Sequence, residues 1–267
     1  MKKIGIIGCG NMGGAMLRQL LSAGIFTGDE VCAADKSPAA RQKLQSEWGM
    51  EATADNAQAA KAPIVLLAVK PQFIAAVGAE IAPVLGRDTL VLSIVAGWEI
   101  RMLKKLLNHD QAHIVRVMPN TPAMVGEGVL AACRSEQVTE EEWALAMRML
   151  ACMGVAEEVP ERLMDAVTGL SGSSPAFAFL FMEALADAGV RAGLPRATAQ
   201  RFAAQVLAGS GKLALETGLH PGQLKDMVTS PAGTTIEGVA ALEKAGFRSA
   251  VMEAVDAAVK KSQSFHS

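Results

Sequence analysis

The sequence predicts an α/β protein in which a parallel, doubly wound sheet is followed by a separate all-α part. Over the first 160 residues, short apolar runs of strand length alternate with helical patterns, which is typical of parallel strands joined by helical crossovers. From about residue 161 the apolar residues recur only at three- and four-residue spacing, which indicates helices. We therefore expect a first domain over residues 1–160 and an all-helical domain over residues 161–267.

A glycine motif near the start of the chain, Gly8-x-Gly10-x-x-Gly13, indicates a ligand for the first domain. It follows a β-branched run and precedes an apolar helical pattern that stops near Gly24. In such a unit the glycines allow a tight turn, close approach of the backbone to phosphates, and close packing of helix on strand. The motif alone is a weak signal, because 25 glycines in 267 residues produce near-matches by chance. Its place between a strand and a helix favours a Rossmann-type dinucleotide site over a purely structural turn.

The other elements continue the alternation. Further strands are expected over residues 30–34, 64–68, 89–93, 114–117, 128–133 and 155–159. Helices are expected over residues 39–48, 56–60, 73–82, 99–107 and 139–152, and in the second domain over residues 175–192, 196–215, 222–228, 236–245 and 247–264.

Because the carboxyl ends of parallel strands meet at one edge of the sheet, the segments that follow the strands should gather there. They are the glycine motif, Asp35, Lys70-Pro71, Ala96-Gly97 and Met118-Pro119-Asn120-Thr121-Pro122. In the last segment two prolines enclose Asn120 and Thr121. It is either a rigid turn or a polar wall beside a nicotinamide, and its spacing leaves both interpretations open.

Asp35 lies about 22 residues past Gly13, near the usual place for the group that meets the adenosine ribose. An acid there favours the 2′-hydroxyl of NAD, because it repels the 2′-phosphate of NADP. Lys36, Ser37 and Arg41 follow directly and favour that phosphate. The residues therefore leave the choice of cofactor open.

Composition excludes several other functions. A net charge of −2 without a Lys/Arg run argues against nucleic acid as a partner. The longest apolar stretches fall far short of the roughly 20 residues that span a bilayer, so we expect a soluble, cytoplasmic protein. The histidines form no metal-binding pair, and we expect no metal. We expect buried free thiols rather than disulfides at Cys9, Cys32, Cys133 and Cys152.

The helical domain contains two loops rich in glycine and hydroxyl groups, over residues 168–175 and 229–235. Each precedes a helix, whose free N–H groups and dipole attract an anion. Helix capping explains one hydroxyl in each loop, and a small carboxylate ligand explains the rest, Ser171 included. Apolar residues also cover much of each helix, and a second copy of the chain is the economical partner for such faces.

Several segments are more specific than the glycine motif. They are Gly8-Cys9-Gly10-Asn11-Met12-Gly13, Ala68-Val69-Lys70-Pro71-Gln72, Met118-Pro119-Asn120-Thr121-Pro122, Gly169-Leu170-Ser171-Gly172-Ser173, Gly189-x-x-x-Gly193-Leu194-Pro195, and the stretch from Pro221-Gly222-Gln223-Leu224-Lys225-Asp226 to Thr235. With these segments the chain resembles the pyrroline-5-carboxylate reductase family over essentially its whole length. The resemblance implies a Rossmann domain, a helical dimerisation domain and reduction of 1-pyrroline-5-carboxylate to L-proline, the last step of proline biosynthesis. It also implies NADPH as the cofactor, with NADH as the alternative, and a homodimer or a larger homo-oligomer.

The resemblance also implies roles for individual residues. The cofactor would contact Ile7, Gly8, Cys9, Gly10, Asn11, Met12, Gly13, Asp35, Lys36, Ser37, Asn56, Ala68, Val69, Lys70, Pro71, Val95, Ala96 and Gly97. The substrate would be held by Ser230, Gly233, Thr234 and Thr235, with Ser171 from the earlier loop. Thr235 is the candidate catalytic residue, as the hydrogen-bond partner of the imine nitrogen, because the chain contains no tyrosine and no well-placed histidine.

Two positions depart from the family pattern, and two other functions stay open. Phe177 stands where a tyrosine is usual, and Ala232 stands where a second glycine is frequent. A β-hydroxyacid or 6-phosphogluconate-type dehydrogenase shares the architecture and would use a lysine such as Lys212. A non-catalytic, NADP-sensing interaction protein could also be built on this fold.

Overall fold

The structure is a computed structural model that describes residues 2–50 and 52–265. Its sheet has eight strands in the order β3-β2-β1-β4-β5-β6-β7-β8. The strands are β1 Ile4–Ile7, β2 Val31–Ala34, β3 Ala52–Thr53, β4 Ile64–Leu67, β5 Leu90–Ser93, β6 His113–Pro119, β7 Gly128–Arg134 and β8 Gly154–Glu158. The predicted α/β fold class, a Rossmann-type sheet followed by helices, is confirmed.

Helices cover both faces of the sheet and then form the rest of the chain. They are α1 Asn11–Ser22, α2 Pro38–Trp48, α3 Asn56–Ala59, α4 Ile74–Ile81, α5 Ile100–Leu106, α6 Glu140–Ala151, α7 Met164–Val167, α8 Ser174–Arg191, α9 Arg196–Thr217, α10 Pro221–Met227, α11 Thr234–Lys244 and α12 Phe247–Gln263. The helices predicted from periodicity are present, with ends that shift by one or two residues.

The last two strands depart from a purely parallel sheet. The strands from β3 to β6 are parallel, whereas β7 runs antiparallel to β6 and β8 runs parallel to β7. A parallel crossover requires a dozen or more residues. The connection from β6 to β7 contains only the short 3₁₀ helix Thr121–Val125 and the residues around it, so the chain must return antiparallel.

Several short elements are absent from the predicted pattern, among them α7, strand β3 and a π-helical turn. Strand β3 has two residues, too few for an apolar alternation to show. Residues Thr168–Gly172, expected as part of a loop, form a π-helical turn directly after α7. This turn extends the helical backbone almost to the start of α8.

The core explains why the strands are uniformly apolar. One buried cluster, with Ile4, Ile6 and Leu66, packs under α1 and α6, and a second, with Ile7 and Leu67, packs under α3, α4 and α5. Both faces of each central strand are thus covered, so neither face requires polar residues.

The chain divides into two compact units. One unit comprises the residues up to Gly172 together with those from Val259 onward, and the other comprises Ser173–Ala258. The helical periodicity places the domain boundary at residue 161, and this boundary stays a prediction. Met1 and Ser267, the outer ends of the predicted domains, lie outside the described residues.

Within the second unit, α8 and α9 pack through small residues. Ala186, Ala199 and Ala203 are buried there, and a Cβ on Gly189 would lie 3.1 Å from the Cβ of Ala199. Close approach of these helices leaves large apolar side chains on their outer faces. No helix in the described part of the chain combines the length and the apolar character that crossing a membrane requires.

Candidate functional site

The candidate site in the first unit is built on the carboxyl edge of the sheet. The register aligns Ile7 with Ala34 and Leu67, and Leu67 with Ser93, so the parallel strands end together. The chain adds strands outward from β1 on one side and outward from β4 on the other, which makes the β1–β4 crevice the switch point of the fold. Ligands of open α/β sheets bind at such a point. The structure thus brings together the segments that follow β1, β2, β4, β5 and β6.

The glycine turn has the shape that a dinucleotide requires. Gly8 has φ +96°, and a Cβ there would lie 2.6 Å from the carbonyl oxygen of Ala68. A Cβ on Gly13 would lie 2.0 Å from the carbonyl oxygen of Gly8, so both glycines are needed for the turn to close. A Cβ on Gly10, by contrast, would have no atom of the described residues within 4 Å. Gly10 therefore borders open space, in which a phosphate can approach the backbone.

The start of α1 is electrostatically suited to an anion. Gly10 caps the helix without a side-chain hydrogen bond, and the first turn of α1 contains no acidic residue. Burial, together with the nearby Asp35 carboxylate, raises the pKa of the Cys9 thiol to about 12. Cys9 therefore stays neutral and places no negative charge beside a bound phosphate.

A cavity of about 290 Å³ lies beside this turn, between α1 and α2. Its walls include Gly10, Arg18, Lys43 and Glu47. The Nε atom of Arg18 is buried and has no hydrogen-bond partner among the described residues. The walls thus carry two cations, Arg18 and Lys43, and one carboxylate, Glu47, so the cavity adds to the positive potential near Gly10. Arg18 was not predicted, because a lone arginine on an amphipathic helix carries no sequence signal of a site.

Asp35 connects the glycine turn to the turn that follows β2. Its Oδ2 accepts the backbone N–H of Cys9 at 2.7 Å, and its Oδ1 accepts that of Ser37 at 2.8 Å. Arg41 donates from Nη1 to the carbonyl oxygens of Asp35 and Lys36 at 2.8 and 3.0 Å. Asp35 and Arg41 thus brace the turn that presents Lys36 and Ser37.

Asn56 also lies at this edge, at the start of α3, and it is buried. Its Nδ2 donates to Oε2 of Glu80 at 2.8 Å, and Lys36 Nζ lies 3.0 Å from Oε1 of the same carboxylate. Glu80, in α4, was not predicted as a site residue. Its position in the last turn of an apolar helix gives no pattern that could identify it.

The remaining segments of the edge are the turns after β4 and β5. Lys70 precedes the 3₁₀ helix Pro71–Phe73 and is exposed. After β5, Val95 is buried and Gly97 adopts φ +76°, a conformation that favours glycine. Apart from the Lys70 side chain, these turns offer backbone groups to a ligand.

Asn120 and Ser171 form a structural connection in the first unit. Asn120 Nδ2 donates to the carbonyl oxygen of Ser171 at 3.1 Å, and its Oδ1 accepts the N–H of Val129 at 2.9 Å. The Ser171 hydroxyl donates to the carbonyl oxygen of Val167 at 3.0 Å. For Asn120 the geometry favours the rigid-turn interpretation, because both ends of its buried amide bind the protein itself.

The second candidate site is the loop that precedes α11 in the second unit. The N–H of Gly233 donates to the carbonyl oxygen of Ser230 at 3.1 Å and closes a turn in which Ala232 has φ +54°. A Cβ on Gly233 would lie 2.3 Å from Ser230 Oγ, so any other residue there would displace the Ser230 hydroxyl. Gly233 caps α11 without a side-chain hydrogen bond, and Thr234 and Thr235 are exposed. The structure brings these four predicted substrate residues together at one helix N-terminus, which suits a carboxylate.

The cysteines are free thiols as predicted, three of them buried and Cys152 partly so. Among the described residues no group of three or more His, Cys, Asp or Glu side chains could hold a metal ion.

Comparison with known proteins extends over the whole chain. Residues 161–265 match the family model for pyrroline-5-carboxylate reductase dimerisation, and residues 3–97 match that for coenzyme F420-dependent NADP oxidoreductases. The chain is 46% identical to pyrroline-5-carboxylate reductase of Escherichia coli strain K12, over 98% of this chain and 97% of that one.

Solved structures agree. The reductase from Coxiella burnetii is 33% identical with a TM-score of 0.92, covering 100% of this chain and 99% of that chain. The pyrroline carboxylate reductase of Plasmodium falciparum, solved with NADP bound, is 32% identical with a TM-score of 0.89, covering 100% and 98%. On this full-length similarity, the chain belongs to the pyrroline-5-carboxylate reductase family.

Proposed function

We propose that this protein reduces 1-pyrroline-5-carboxylate to L-proline, the last step of proline biosynthesis, with NADPH as the main cofactor and NADH as the alternative. The observation that carries the proposal is the 46% identity to a pyrroline-5-carboxylate reductase over 98% of the chain. The open space at Gly10, and the start of α1 without a side-chain cap, supply the place for a dinucleotide.

The cofactor lies along the carboxyl edge of the first unit. Residues 7–13 hold the pyrophosphate, and Asp35, Lys36 and Ser37 lie near the adenosine ribose. Asn56, residues 68–71 and residues 95–97 line the rest of the cofactor. When bound, NADPH supplies the hydride that reduces the C=N bond. The chain's own residues supply orientation and electrostatic stabilisation.

The substrate carboxylate binds at the N-terminus of α11, through Ser230, Gly233 and Thr234, with Ser171 as a further contact. Thr235 holds the ring nitrogen by a hydrogen bond. A protonated imine is much more electrophilic at carbon than a neutral one. Since threonine is a poor acid, Thr235 positions a proton that comes from water or binds a substrate that is already protonated.

The assembled protein is a cytoplasmic homodimer or a larger homo-oligomer, with residues 1–160 as the cofactor domain and residues 161–267 as the substrate and dimerisation domain. The match to the dimerisation family model supports this assembly. So do the large apolar side chains exposed on α8 and α9, namely Phe179, Leu180, Phe202 and Val206.

The decisive experiment measures oxidation of NADPH and of NADH on addition of 1-pyrroline-5-carboxylate. We expect turnover with both and a higher kcat/KM with NADPH. Cofactor binding without turnover would instead indicate the non-catalytic, NADP-sensing protein. Oxidation of 3-hydroxyacids in the reverse assay would indicate the dehydrogenase alternative. In that alternative the proton-transferring lysine would be Lys212. It lies exposed on α9, with its Nζ 3.7 Å from Oε1 of Glu216.

A further inference from the structure

Glu80 contacts two residues of the cofactor edge at the same time. One of its carboxylate oxygens, Oε2, accepts the hydrogen bond from Asn56 Nδ2 at 2.8 Å. The other, Oε1, lies 3.0 Å from Lys36 Nζ. The two partners come from different elements, since Lys36 follows β2 and Asn56 follows β3, and Glu80 itself lies in α4.

We propose that Glu80 is a positioning residue that sets the balance between NADPH and NADH. It holds Asn56 in place for both cofactors. It also forms an ion pair with Lys36, the cation that would bind the 2′-phosphate present only in NADPH. The proposal rests on the proposed function in one respect, namely that Lys36 lies near the adenosine ribose and that Asn56 lines the cofactor site.

The contact with Asn56 fixes the direction of its amide. A carboxylate can only accept hydrogen bonds, so the NH₂ end of the amide must face Glu80 and the oxygen must point elsewhere. Asn56 is only 2% exposed, so its amide depends on protein partners such as Glu80. Loss of the Glu80 oxygen would remove the partner of this buried donor and would disturb the cofactor site, whichever cofactor is bound.

The contact with Lys36 is of a different kind. Its side chain is 63% exposed and that of Glu80 is 38% exposed, so this is a surface ion pair that exchanges readily with solvent. A 2′-phosphate must compete with Glu80 for the Lys36 ammonium group, whereas NADH has no group that requires it. Glu80 therefore weakens the binding of NADPH relative to NADH.

The substitution E80Q separates the two contacts. The amide keeps an oxygen for Asn56 but loses the negative charge that holds Lys36. We expect the Kd for NADPH, measured by nicotinamide fluorescence, to fall about two- to fivefold, in line with the strength of a surface ion pair. The Kd for NADH should stay within about twofold. E80A removes the acceptor for Asn56 as well, and it should raise the Kd for NADH about threefold or more.

Two further variants test the route through Lys36. In a K36M background E80Q should give no gain for NADPH, because the cation that it releases is absent. E30Q is the matched control, since Lys3 and Glu30 form a similar exposed pair at the amino end of β1 and β2, the opposite edge of the sheet. It should leave the ratio of the two Kd values unchanged.

The outcomes separate this proposal from the proposed reaction. An E80Q protein with an unchanged NADPH-to-NADH Kd ratio, or a change that persists in the K36M background, overturns the role of Glu80. A wild-type protein that binds both cofactors but does not reduce 1-pyrroline-5-carboxylate overturns the reaction, and the Kd ratio still decides on Glu80. A wild-type protein that binds neither cofactor overturns both.

Discussion

The carboxylate of Asp35 accepts two backbone N–H groups, from Cys9 and Ser37, and thereby joins the turn after β1 to the turn after β2, both in the proposed cofactor site. In D35N one oxygen becomes an NH₂ group that cannot accept, so one of these donors loses its partner. We expect the free energy of unfolding to fall by about 1–2 kcal/mol, measured by urea denaturation.

The same substitution tests cofactor choice. If the 2′-phosphate binds beside Asp35 as proposed, removal of this negative charge should raise the ratio of kcat/KM for NADPH to that for NADH. An unchanged ratio would show that Lys36 and Ser37 already decide the preference. An unchanged urea midpoint would show that the Asp35 contacts add nothing to stability.

Ala232 is held with φ +54° in the turn that precedes α11. The left-handed conformation costs a non-glycine residue about 1–2 kcal/mol, although glycine loses more backbone entropy on folding. We expect A232G to raise the free energy of unfolding by about 0.5–1 kcal/mol, seen as a rise in Tm. The control A245G lies at the end of the same helix with φ −77°, where glycine should lower the Tm. A lower Tm in A232G would contradict the inference that the backbone of Ala232 is strained.

Thr235 is the residue of the second site with a proposed chemical role. In T235V the hydroxyl is lost while the shape is kept. We expect kcat/KM for the imine to fall about 10- to 100-fold, the loss of a hydrogen bond to a charged group, with the Kd for NADPH nearly unchanged. The control T217V removes a hydroxyl at the end of α9, which donates to the carbonyl oxygen of Leu213 and accepts the N–H of Leu219. Unchanged kinetics in T235V would remove Thr235 from the mechanism.

At the scale of elements, Asn120 ties the β6–β7 connection to β7 and to the π-helical turn. It is 8% exposed, and both ends of its amide are bonded. N120D keeps an oxygen for Val129 but places the other one against the Ser171 carbonyl. We expect a loss of about 2–3 kcal/mol in the free energy of unfolding, measured by denaturation.

The matched control for this substitution is N108D, at an exposed position with φ 49°, a conformation that aspartate also tolerates. It should change stability little. Equal stability of N120D and wild type would mean that the Asn120 bonds do not hold the connection in place.

The elements themselves differ in how far local sequence could predict them. Strand Ile64–Leu67 was predicted because it is an unbroken apolar run, and the 22-residue helix α9 was predicted because apolar residues recur along it at helical spacing. The antiparallel direction of β7 was not predicted, because the strand–helix alternation before it indicates a parallel sheet. The short connection after β6 is the one sequence signal that favours an antiparallel return. The π-helical turn was taken as a loop, because its glycines and serines are typical of loops.

At the scale of the whole molecule, the second unit is rich in large exposed apolar residues. Leu180 on α8 is 68% exposed, beside Phe179. A charge buried in an interface is costly, so L180D should dissociate the homo-oligomer, seen as a lower sedimentation coefficient. The control V125D introduces the same charge at an apolar residue of the first unit that is 74% exposed, and it should leave the assembly intact. An unchanged sedimentation coefficient in L180D would mean that the contact between subunits does not include Leu180.

The sequence by itself determined the glycine turn, the strand–helix alternation, the helical second half and the residues that resemble one family. These are local features, in which neighbouring residues carry the whole signal. Only the tertiary structure decided the antiparallel end of the sheet, the carboxylate of Glu80 between Lys36 and Asn56, and the internal role of Asn120. The contacts of Glu80, and that of Asn120 with Ser171, join residues that are far apart in the chain, and the direction of β7 depends on the strand with which it pairs. Neither kind of pairing leaves a periodicity in the sequence.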